Sequence, residues 1–101
     1  MQTVNIGLNS NKGGAVSARA VLQWLLDARQ VSRVSIANSA TERTLVARID
    51  APLNAGEAYA LCAAFDQDCI AQSADGISGA LLGPKSADWG AFNPALFIRL
   101  S

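Results

Sequence analysis

Twice in its first 65 residues the hydrophobic period of this chain switches from that of a strand to that of a helix, and this alternation limits the fold more than any other feature. TVNIGLN, residues 3–9, alternates Val4, Ile6 and Leu8 with Asn5 and Gly7, the period of a strand covered on one face. A polar loop, SNKGGAV, follows. Ser17 then opens a predicted helix, SARAVLQWLLDARQ, whose Ala18, Val21, Leu22, Leu25 and Ala28 form one apolar stripe with Trp24 at its edge. RVSIANS (33–39) reads as a second strand with Val34 and Ile36 facing in. LVARIDA (45–51) reads as a third, with Leu45, Ala47 and Ile49 inward and Arg48 outward. The polar connection SATERT joins them, and Pro52, lacking a ladder amide, ends the third strand.

Asn54 and Glu57 have the spacing of a capping box, and the helix they open carries Ala58, Leu61, Cys62 and Phe65 on one stripe. CIAQSA (69–74) and ISGALL (77–82) flank Asp75-Gly76, a dipeptide suited to a two-residue type I′ hairpin. Gly79 marks a bulge or an edge position. The resulting order, β-α-β-β-α-β plus one strand, predicts an α+β fold. The specific form expected is a ferredoxin-like two-layer sandwich, an antiparallel sheet with two helices on one face. A chain of 101 residues is long enough for one such core and too short for two. Residues 1–82 are the expected core, and 83–101 a Pro/aromatic tail that packs on the sheet or extends it.

Charge narrows the function. Eight Lys and Arg balance eight Asp and Glu, so the chain offers no basic footprint for nucleic acid and too little acid to imitate DNA. MQTVNIGLNS has neither the basic nor the apolar region of a signal peptide, and AYALCAAF (58–65) is far too short to span a bilayer. A cytoplasmic protein is expected, with Cys62 and Cys69 as free thiols. Histidine is absent, which removes Ser-His-Asp and Cys-His nucleophiles. Two cysteines alone do not make a zinc site. No catalytic residue, metal or cofactor is therefore expected. Asp66 and Asp68 fall in a helix-to-strand turn, where acids cap or solvate.

Two places invite a functional reading. Trp89, Phe92 and Phe97 cluster beside Pro94, whereas Trp24, Tyr59 and Phe65 stand singly. The cluster either closes the fold by packing on the sheet or anchors a protein partner, since aromatics dominate interface hot spots. Lys12, Gly13 and Gly14 lie between a strand and a helix but lack the order G-x-x-x-x-G-K-[ST] of a phosphate loop. A simpler anion site is the remaining expectation there, with both helix N-termini directed at one spot beside Lys12. Amino-acid-binding domains of ACT type share the predicted order of elements, although GLNSNKGG lacks their Pro-Gly-Leu pattern.

GPKSADWGAFNPALF, SATERTLVARI and GEAYALCAAFDQDCIA resemble small uncharacterised proteins of bacteriophages and mobile elements, over most of residues 33–98. Anti-CRISPR proteins are the best-known such group. The resemblance implies a non-enzymatic inhibitor that binds a subunit of a CRISPR-Cas defence complex in the bacterial cytoplasm. The group shares no motif, so no residue roles carry over. A neutral inhibitor would act by shape and apolar contact. The alternatives are an ACT-like small-ligand or anion-binding regulatory domain, and a self-associating structural domain, a homodimer formed through the open sheet face and the tail.

Overall fold

The computed structural model describes residues 2–10, 12–38, 43–74 and 78–84. Its elements are β1 (Gln2–Gly7), α1 (Ala18–Ala28), β2 (Val31–Asn38), β3 (Arg43–Ile49), α2 (Ala55–Phe65), β4 (Ile70–Ala74) and β5 (Ser78–Leu82). The strands form one five-stranded sheet in the order β2-β3-β1-β4-β5, every neighbouring pair antiparallel. β1 pairs on both sides, so its apolar residues meet neighbours in both directions. Val4 stands between Ala47 and Gln72, and Asn5 between Val46 and Ala71.

Alternation along the strands then decides which residues reach the helices. Val4, Ile6, Leu45, Ala47, Ile49 and Ile70 share a fully buried cluster with Val21 and Leu25 of α1 and Ala58, Leu61 and Cys62 of α2. Each large aliphatic side chain buried there contributes about 1.5–3 kcal/mol. Val21, Leu25, Ala58, Leu61 and Cys62 of the expected stripes are buried, while Ala18, Leu22 and Phe65 of those stripes, with Trp24, pack at the margin.

Both helices start where their capping residues stand. The Ser17 hydroxyl accepts from the Ala20 amide at 3.2 Å. At α2 the capping box is complete: Asn54 Oδ1 accepts from the Glu57 amide at 2.8 Å, and Glu57 Oε1 from the Asn54 amide at 3.0 Å. α2 ends at Asp66 in the left-handed region, φ 54°.

Two local expectations change, and a third, the edge position of Gly79, holds. β2 and β3 each begin two residues earlier than their patterns suggest, with a register shift between Val31 and Arg33. Ala74 pairs with Ser78, a register that leaves three positions between the strands rather than a two-residue turn. Asp75 and Gly76, like the connection at 39–42, lie outside the described residues. Gly79 sits in an edge strand, opposite Ser73, with no bulge.

The sheet face turned away from the helices is buried as well. Asn5, Thr44, Val46, Ala71 and Ser73 point to it, and all are within 5% of complete burial.

Candidate functional site

The loop between β1 and α1 is closed on itself. The Gly13 amide donates to the Ser10 carbonyl at 2.9 Å and the Gly14 amide to Ser10 Oγ at 3.1 Å. The Lys12 amide donates to Asp66 Oδ2 at 3.2 Å. The glycine amides expected to attract an anion are thus engaged within the chain, and so is the Lys12 amide. Gly13 adopts φ 88°, which the tight turn requires and a side chain would resist.

The expected convergence of both helix N-termini beside Lys12 does not occur. β1 and β3 run antiparallel, so the helices that follow them start at opposite ends of the sheet. The loop lies instead against the C-terminal end of α2, where Gln67 Nε2 donates to the Asn9 carbonyl at 2.9 Å. That end of a helix carries the negative pole of its dipole, and the Asp66 carboxylate adds to it.

Beside this loop is an open groove of about 700 Å³, lined among others by Lys12, Tyr59, Asp66, Gln67, Asp68 and Pro84. Cys62 reaches it from α2, and burial, helped by the nearby Cys69 and Asp68, pushes its thiol up to about 11. At neutral pH the sulfur is therefore protonated and a poor nucleophile. Its neighbours Cys69 and Asp68 favour the protonated thiol rather than the thiolate. Among the described residues no group of three or more His, Cys, Asp or Glu is placed to hold a metal.

A polar assembly that the sequence reading missed lies at the other end of the sheet. The Arg29 guanidinium spans Glu57, at 2.8 and 2.5 Å, and the carbonyls of Ala28, Ala51 and Pro52 at 2.7, 3.3 and 3.0 Å. It ties the end of α1 to the start of α2. Above all through the Arg29 hydrogen bond, and then through that of the Asn54 amide, the Glu57 carboxyl is held below its usual range. With every donor turned to the protein's own acceptors, this is a clamp.

Tyr59, half exposed, belongs to the groove beside the Lys12 loop, and the other exposed large hydrophobic residues among those described are Leu26, Val34 and Ile36. Val34 stands opposite Ala47 and Ile36 opposite Leu45, so both are on the helix-covered face as expected. They are nevertheless 38% and 39% exposed, on the strand that is outermost among the described residues. Leu26 of α1 is 49% exposed. β1 and β2 are each antiparallel to β3, hence parallel to one another. The right-handed hand of such crossovers turns the Leu22–Leu26 flank of α1 over β2. Leu26, Val34 and Ile36 thus border a strand that, among the described residues, pairs with β3 alone.

Trp89, Phe92 and Phe97 lie outside the described residues. In comparison with known proteins, no family model, no curated protein and no solved structure matches this chain.

Proposed function

We propose that this chain is a non-enzymatic protein-binding module on a ferredoxin-like scaffold, with the β2 edge as its contact surface. The strand order β4-β1-β3-β2, with a helix after β1 and another after β3, supports the scaffold reading; β5 extends it beyond β4. The binding reading is carried by one observation: an eight-residue edge strand that exposes Val34 and Ile36 and includes one charged residue, Arg33. Long apolar edges of this kind offer free backbone donors and acceptors to another strand, and soluble proteins usually blunt them with charge or proline. The other candidate contact, Trp89, Phe92 and Phe97, lies outside the described residues.

The physiological role we propose is that of a phage-type inhibitor of a bacterial defence complex, on the strength of the resemblance in residues 33–98. It is tested in cells with active CRISPR interference. Expression of the chain restores plating of a targeted phage, and the chain co-elutes with the purified interference complex. Both effects disappear in Val34→Lys/Ile36→Lys and persist in Gln23→Ala, on the outer side of α1. Absence of rescue and of co-elution would remove the inhibitor role.

A further inference from the structure

The β2 edge is self-complementary. Two copies of one strand that pair antiparallel about a two-fold axis bring together residues whose numbers have a constant sum. Centred on Ser35, the axis sets Val34 against the partner's Ile36 and Ile36 against the partner's Val34. These four side chains lie on the helix-covered side of the sheet. On the opposite side the axis sets Ser35 against the partner's Ser35, and Arg33 against the partner's Ala37. No like charges meet.

Neighbouring registers do less. Centring on Val34 places Ile36 against the partner's Ser32, next to the register shift, and centring on Ile36 leaves Val34 against the partner's Asn38. Centring on Arg33 stacks two guanidinium groups directly, an unfavourable pair. The zero formal net charge of the chain removes long-range repulsion between copies.

We infer that the β2 edge pairs with β2 of a second copy in the register centred on Ser35, so that two five-stranded sheets become one continuous antiparallel sheet. This rests on reading the edge as a protein-contact surface. Self-pairing and the binding of a foreign strand exclude each other there, so a partner that uses this edge takes the chain as a monomer.

Sedimentation of the full chain over a micromolar to near-millimolar range is expected to show a mass rising towards twice 10.5 kDa, and Val34→Lys to stay at the single-chain mass. The register is tested independently by cysteine placement. Directly opposed Cα atoms in an antiparallel pair lie about 4.5–5.5 Å apart, within disulfide range. Ser35→Cys is therefore expected to form a disulfide-linked dimer under oxidised glutathione. Ala37→Cys, two positions off the axis, does not. This arm needs no folded Val34→Lys protein, and peptide mass mapping identifies the linkage. A chain that sediments at 10.5 kDa throughout, or that cross-links equally from positions 35 and 37, overturns the inference. If the monomeric chain still loses co-elution with a defence complex on Val34→Lys/Ile36→Lys, the contact-surface reading stands while self-pairing falls.

Discussion

At the scale of single residues, two positions show how little freedom the packing leaves. Gly83 has φ 143°, and a Cβ there would lie 2.7 Å from the Cys69 Cα, 2.8 Å from the Asp68 carbonyl oxygen and 3.0 Å from Cys62 Sγ. Two of these neighbours are backbone and cannot turn aside. Gly83→Ala is therefore expected to destabilise the fold by about 2–4 kcal/mol through backbone strain and overpacking, read from urea unfolding. An unchanged midpoint would contradict the approach of β5 to the α2–β4 turn. Ser73 poses the opposite case. It is 1% exposed, and its hydroxyl has no hydrogen-bond partner among the described residues; both polar atoms of Asn5 on the same sheet face share that condition. Truncating a hydroxyl that holds no protein partner removes a desolvation cost. Ser73→Ala is expected to leave stability unchanged or raise it by roughly 1 kcal/mol, and a loss of that size would show that the hydroxyl is bonded.

Between elements, the clamp of Arg29 on Glu57 makes the joint between α1 and α2 sensitive to acid. The folded carboxyl ionises at lower pH than the unfolded one. Its contribution is complete above the ordinary carboxylate range and disappears as the pH falls through the depressed value. Thermal midpoints between pH 7 and pH 3 are expected to fall more steeply for the native chain than for Arg29→Met, which starts lower and lacks the linkage. Parallel curves would mean that the ion pair contributes nothing. Asn54→Ala removes the other half of this junction, and about 1 kcal/mol is the usual cost of such a cap. The capping box was legible in the sequence because its parts are three residues apart. The clamp was not, because residues 29 and 57 meet only after β3 has brought the chain back.

For the molecule as a whole, the same division between local and distant information decides what the sequence disclosed. Strands and helices were recognisable from alternation and stripes in TVNIGLN, LVARI and SARAVLQWLLDARQ, patterns complete within one element. Position in the sheet depends on pairing between segments, and the pattern of RVSIANS is the same whether the strand is central or outermost. Val34 and Ile36 were thus assigned to the correct face while their exposure at the edge went unseen. Antiparallel pairing of β1 with β3 likewise moved the Lys12 loop away from the start of α2. The second sheet face carries the last consequence. Val46 and Ala71 are buried on it, although neither helix lies there. For Trp89 the sequence leaves two roles open, packing on the sheet or anchoring a partner, and the packing role would shield it from solvent. In a Trp24→Phe background Trp89 is the sole tryptophan, and its fluorescence should resist acrylamide as a core indole does. Free quenching in the monomeric Val34→Lys variant would remove the packing role and leave the aromatic cluster that of partner anchor.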